Sequence, residues 1–326
     1  MNDVKYVVSS TPHVRDKVTS QSIMIDVLIA LSPAALMGIY YFGFDAVLTI
    51  SLSIGFCMFF EYLFRKMRNK PSSLKDCSAI VTGLLLAMNL PASNSLLLPI
   101  VGAAFAIIIV KQLFGGLGHN FLNPALGARV FLLLSYPTAM VNFAAPGRNF
   151  LGMGIDAVSS ATPLAVLKTG TAPTSGDYIN ALIGYHGGSL GETCAAALIL
   201  GGIYLLAKRI INWKIPVSFI ASVMVITFLA GRDSGIGYPV YEVLTGGLLI
   251  GALFMATDYT TSPVTPVGQI IMGIGCGIIT AFIRIYGSYP EGVSFAILFM
   301  NLATPLIDKF TPPRVLGKTR QKVKIS

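Results

Sequence analysis

Ile80-Val81-Thr82-Gly83-Leu84-Leu85-Leu86-Ala87 returns in the second half of the chain as Val243-Leu244-Thr245-Gly246-Gly247-Leu248-Leu249-Ile250. A looser pair is Asn123-Pro124-Ala125 and Asn301-Leu302-Ala303-Thr304-Pro305. Matches of this kind are common in membrane helices, so their weight comes from falling at equivalent positions of two halves. If each half crosses a membrane five times, the odd number of crossings inserts the second half inverted relative to the first. That is the plan of many transporters.

Outward from these stretches, apolar runs of spanning length predict ten helices at about 23–43, 45–64, 77–91, 96–113, 121–136, 191–208, 215–231, 240–257, 266–285 and 292–309. The chain of 326 residues is 54% hydrophobic and 11% charged, with a mean hydropathy of +0.73. Soluble domains do not have this composition; polytopic membrane proteins do. The third and fifth runs are short and are bounded by Asn89-Leu90-Pro91 and Asn123-Pro124. Such interruptions are tolerated at membrane depth only where the backbone is buried in protein or lines a polar site. The expected fold is an all-α polytopic membrane protein of about ten transmembrane helices in two inverted five-helix repeats, some of them broken. It divides into an arm at 1–22, a first repeat at 23–136, a loop at 137–190, a second repeat at 191–309 and a basic tail at 310–326.

The net charge of +9 does not indicate a nucleic-acid partner, because the basic residues lie in short clusters between apolar runs. In the ten-helix arrangement, 18 of the 23 lysines and arginines fall on one side and five on the other: Arg129, Arg148, Lys168, Arg232 and Arg284. The excess marks the cytoplasmic side. Both termini are therefore expected there, with the loop 137–190 outside. Met1 to Gln21 is polar and mixed in charge, so the first apolar run reads as a retained anchor. Cys57, Cys77, Cys194 and Cys276 form no C-x-x-C pair and predict neither a disulfide framework nor a metal knuckle.

Charged residues within predicted helices are functional candidates by default, here Asp26, Glu61, Arg129, Glu242 and Asp258. Glu61 and Glu242 lie near helix ends and are expected to snorkel to the interface. Asp258 is surrounded by Thr257, Thr260, Thr261 and Ser262, hard oxygen donors suited to a small cation, although a helix-end cap is the simpler reading. His119 and Asn120 precede a helix start and are expected to satisfy backbone groups. The pairs Gly115-Gly116, Gly187-Gly188 and Gly201-Gly202 follow no strand, so they read as turns or helix packing rather than phosphate loops.

The long loop contains Asp156-Ala157-Val158-Ser159-Ser160-Ala161-Thr162-Pro163. Pro163 disfavours the α region at Thr162 and starts a short helix over 163–168, with Thr162 as its N-cap and its hydroxyl presented outward. The pattern Asp156-x-x-Ser159-x-Ala161-Thr162 resembles the site at which a flavin transferase attaches FMN to threonine through a phosphoester. A chance match in a chain of this length is on the order of one in a hundred. With the ten helices and the repeat, the chain resembles the family that holds the D-type subunit of Rnf ion-translocating electron-transport complexes and the B-type subunit of the sodium-pumping NADH:quinone reductase. Ser160 stands where family motifs often have glycine. The short N-terminal arm favours the Rnf branch.

The resemblance implies a membrane flavoprotein relaying electrons between ferredoxin and NAD, coupled to sodium or proton movement. It implies covalent FMN on Thr162, with Asp156, Ser159, Ser160 and Ala161 shaping the loop, and a second noncovalent flavin such as riboflavin. The implied partners are the other membrane subunits, a second covalent-flavin subunit, iron–sulfur and NAD-binding subunits, the flavin transferase and membrane lipid, in a bacterial cytoplasmic membrane. Two other readings fit the residues: a small-solute channel or carrier built from inverted repeats, and a structural subunit without a cofactor.

Overall fold

The computed structural model describes residues 18–92, 95–147, 161–168, 173–230, 237–287 and 291–312. Every regular element among them is helical. In chain order they are α1 (Ser20–Phe42), α2 (Phe44–Met67), α3 (Ser78–Met88), α4 (Leu97–Ala104), α5 (Pro124–Ser135), α6 (Pro137–Val141), α7 (Pro163–Lys168), α8 (Ser175–Ile183), α9 (Ala195–Ala207), α10 (Lys214–Leu229), α11 (Gly237–Leu244), α12 (Leu248–Ile250), α13 (Pro266–Tyr286) and α14 (Val293–Phe310). Two of them continue as π-helix: α4 through Phe105–Gln112 and α12 through Gly251–Met255. Four helices, α1, α2, α13 and α14, are long and apolar enough to cross a membrane, or five if the bent pair from Gly237 to Met255 is one span. The 11 residues of α3 rise only about 16 Å, near half of a hydrocarbon core.

The local signals explain where helices start. Asn123, Thr162 and Thr265 each accept from a first-turn N–H, and each is followed by a proline whose missing N–H and fixed φ suit the first helical position. The predicted fifth helix therefore begins at Pro124, not 121. The predicted helix at 240–257 is two pieces bent by 67°. Gly246 and Gly247, at φ +69° and +67°, take the left-handed conformation that ends α11, one that side chains with a Cβ adopt only at a cost.

Chain direction gives the bundle two ends. The proximal end holds the start of α1 and the end of α14; the distal end holds the α1–α2 junction at Gly43. At the distal end Tyr41 donates its hydroxyl to Ile183 O at 3.2 Å, and its carbonyl accepts from Gly147 N. The described residues around Gly147 and Ile183, between α5 and α9, thus close on the distal end. Expected to carry little structure, the chain between α5 and α9 contains α6, α7 and α8.

The two halves of the sequence meet in one core running from Ala30 to Ile307. Gly201 of α9 lets the helix approach α1 so closely that a Cβ there would run into the Ala30 carbonyl, and a Cβ on Gly202 would press on Leu253. That pair is a packing surface, as expected. Where α3 stops, Leu90 O and Met88 O accept from Leu190 N at 3.1 Å and Gly191 N at 2.7 Å. The backbone freed by the broken helix is satisfied by the segment that leads into α9. Asn123 and Asn301, matched by the repeat reading, are neighbours: the Asn301 amide oxygen takes the Asn123 N–H at 3.2 Å.

Candidate functional site

Thr162 is 6% exposed. Its Oγ1 accepts from Ala165 N at 3.3 Å, and its carbonyl accepts from Val166 N. The N-cap is as predicted, but the hydroxyl points into the first turn of α7 and not outward, because bonding that N–H satisfies a donor that burial would otherwise leave stranded. Asp156, Ser159 and Ser160 lie outside the described residues; Ala161 is exposed.

α7 is held from below. Leu164 and Leu167 are buried against Ala181, Tyr238 and Tyr241, and Lys168 Nζ donates to Gly287 O at 2.7 Å. Leu164 fills the space that a Cβ on Gly246 would need, so the short helix sits directly on the α11–α12 break. Beside it is a hollow of about 190 Å³ lined by Ala161, Pro163, Tyr185, His186 and Tyr241 among others. His186 Nδ1 faces Gly187 O at 3.2 Å, whereas its buried Nε2 has no partner among the described residues. Burial holds the imidazole below its ordinary pKa and keeps it neutral.

The acids expected to reach the interface do not. Glu61 is 1% exposed and Glu242 is 3% exposed. Lys111 Nζ donates to Glu61 Oε2 at 2.7 Å and to Ser78 Oγ at 2.6 Å, and Ser73 donates to the other Glu61 oxygen. Glu242 Oε2 accepts from Thr227 Oγ1 at 2.9 Å and lies 3.8 Å from Arg284 Nη1. Each carboxylate has a buried base within reach on another helix, which outweighs snorkelling. Asp26 accepts from Tyr204 Oη at 2.7 Å.

Asp258 accepts from the hydroxyls of Thr260 at 3.0 Å and Thr261 at 3.4 Å, and burial pushes its carboxyl up. Among the described residues no cluster of three or more His, Cys, Asp or Glu could hold a metal. A narrow cavity of about 80 Å³ at the proximal end is lined by Lys111, Asn120, Asn123, Thr257 and Asp258 among others. Asn120 Oδ1 is buried there without a partner among the described residues, contrary to the expectation that it satisfies backbone.

Sequence reading missed Glu192 and Glu291. Arg129, a candidate from sequence, draws them together: Nη2 donates to Glu192 Oε1 at 3.2 Å and to Glu291 Oε2, and Nη1 donates to Asn89 Oδ1 at 2.8 Å. Glu192 precedes α9 by three residues and Glu291 precedes α14 by two, and position alone marks them as charges near helix starts. Only the fold sets them on one arginine.

The model of one family matches residues 7–317. The chain belongs to the NQR2, RnfD, RnfE family. It is 46% identical over 325 residues to the D-type subunit of the Na(+)-translocating ferredoxin:NAD(+) oxidoreductase complex of Acetobacterium woodii, covering 99% of this chain and 98% of that one. The D-type subunit of the proton-translocating ferredoxin:NAD(+) oxidoreductase complex of Clostridium ljungdahlii is 44% identical, with 97% of each chain covered. The D-type subunit of the ion-translocating oxidoreductase complex of Ectopseudomonas mendocina is 36% identical over 94% of this chain and 95% of its own. As a family member the chain is a multi-pass membrane protein, and the resemblance read from the sequence is borne out at the level of the family.

Proposed function

We propose that the chain is the D-type membrane subunit of an ion-translocating ferredoxin:NAD oxidoreductase and carries FMN in phosphoester linkage to Thr162. The observation that carries this is the pattern Asp156-x-x-Ser159-x-Ala161-Thr162, ending on a hydroxyl that opens a helix beside a hollow. Relatives matched over nearly the full length bear the name of that complex. One name specifies sodium and the other protons, so neither ion is carried over to this chain.

The residues present fit the group. Thr162 supplies the ester oxygen, and the positive end of the short helix α7 lies at the same place. His186 lines the hollow as a polar side chain, and Tyr185 and Tyr241 offer it aromatic walls. The burial of Thr162 is a modest obstacle to attachment, since opening an N-cap costs only about 1 kcal/mol. Ser159, Ser160 and Ala161 are small enough for a transferase to reach the hydroxyl, with Asp156 orienting the loop. FMN, when attached, supplies the redox chemistry that no side chain here provides.

The same reading puts both termini in the cytoplasm and the α5–α9 segment outside a bacterial cytoplasmic membrane, next to the second covalent-flavin subunit, with iron–sulfur and NAD-binding subunits across the membrane. A second, noncovalent flavin such as riboflavin belongs to it as well. The proximal cavity presents polar partners for one, but at about 80 Å³ it does not admit an isoalloxazine, and no electron step is placed there.

Thr162→Ala should remove flavin fluorescence from the chain on a denaturing gel while the complex still assembles. Retained fluorescence refutes the attachment site. A small-solute carrier would instead purify colourless and transport independently of Thr162.

A further inference from the structure

The cluster around Arg129 has an unbalanced charge count. One guanidinium from α5 meets two carboxylates, Glu192 and Glu291, from the segments leading into α9 and α14. Side-chain exposure is 9% for Arg129, 3% for Glu192 and 14% for Glu291. The other charged and titratable groups facing the cluster do not correct the imbalance. Arg284 is committed to Glu242 and to the carbonyls of Glu242, Thr245 and Gly246. His186, which faces Glu192 across Gly188, is kept neutral by burial. Asn89 gives Arg129 an amide oxygen and no charge. With both acids ionised, the cluster would hold an uncompensated negative charge in a low-dielectric site, which desolvation strongly disfavours.

A metal cation would need several more oxygens, and the guanidinium already occupies one oxygen of each carboxyl group. A proton needs none. We propose that Glu192 and Glu291 share one exchangeable proton, making the Arg129 cluster a proton-binding site at the seam between the two halves of the chain. With Arg129 positive, one carboxylate negative and the other carboxyl neutral, the site is balanced. Both carboxyl groups accept from the same Arg129 Nη2, which brings them within reach of one proton, and burial together with the Glu192 charge pushes the Glu291 carboxyl up. Exchange with water runs through Glu291, the more exposed of the pair. Losing the proton restores the uncompensated charge and pushes the α9 and α14 lead-ins apart, so occupancy of the site is tied to how tightly the halves close.

Infrared spectroscopy of the purified full-length chain in nanodiscs tests this directly. At neutral pH a carbonyl band of a protonated carboxylic acid is expected, moving in D2O and titrating away at high pH. Labelling with 13C-glutamate should move the band and 13C-aspartate should not, a result that needs no variant to fold. Glu192→Gln and Glu291→Gln should each abolish it, because either leaves a single carboxylate facing Arg129; Asp177→Asn, on the exposed α8, should not. Absence of the band in the unsubstituted chain, its movement with labelled aspartate, or its survival in both glutamine variants overturns the proposal. Loss of the band on adding sodium chloride at fixed pH also overturns it, by making the site one for sodium.

Discussion

Among the described residues each half of the chain buries one acid–base pair of its own, Glu61–Lys111 at the proximal end and Glu242–Arg284 at the distal end, and the two do different work. Lys111 is a point charge: its ammonium contacts the Glu61 carboxylate and the Ser78 hydroxyl and is satisfied by them. Arg284 is a fork. Its Nη1 donates to Glu242 O at 2.7 Å and its Nη2 to Gly246 O at 3.1 Å and Thr245 O at 3.4 Å, while the Glu242 carboxylate is 3.8 Å away. Those carbonyls are the ones orphaned where α11 ends. The first pair joins helices; the second holds open a break in one, and α7 rests on that break. Charge alone does not distinguish them, but donor geometry does.

The largest expected effect follows from removing each base. Arg284→Met should cost about 3–5 kcal/mol for the stranded carboxylate and roughly 1–3 kcal/mol more for the carbonyls left without donors. Lys111→Met should cost only the first amount. Thermal unfolding in detergent compares them, and equal losses would remove the distinction. The double variant Glu61→Gln/Lys111→Met should recover most of the loss, since removing both partners of a buried pair is often near neutral.

Exchanging the bases sharpens the same point at smaller cost. Arg284→Lys keeps the charge but cannot reach three carbonyls, so a loss of about 1–3 kcal/mol and easier proteolysis at the α11–α12 break are expected. A silent substitution there would mean that the carbonyls do not matter. The smallest effect is at the distal surface. His186 is neutral in the fold, so as pH falls below about 6.5 the unfolded chain binds a proton that the folded one refuses, and stability drops. His186→Gln should flatten that acid limb without changing stability at pH 8, as read by hydrogen exchange of the segment 184–193.

Most helix positions were legible because apolar runs and Asn-Pro or Thr-Pro starts are local signals. The bend at Gly246-Gly247 was not, since a glycine pair inside an apolar run reads equally well as close packing. Thr162 was legible as a cap because Pro163 constrains its neighbour, but its inward hydroxyl depends on the hydrophobic seat of Leu164 and Leu167. Glu61 and Glu242 were misread because their partners lie far along the chain and only packing brings them near. Glu192 and Glu291 gave no signal for the same reason, and Asp156, Ser159 and Ser160 rest on motif alone.

The π-helical stretch at Phe105–Gln112 gives the proximal pair a reading frame. A π turn accommodates a residue more than an α turn, an insertion absorbed without a loop. Wound instead as α-helix at about 100° per residue, the same residues would present Lys111 on another face, away from Glu61 and Ser78. The ion pair is therefore written into the chain twice, once as two charged side chains and once as the wider winding that aims one at the other.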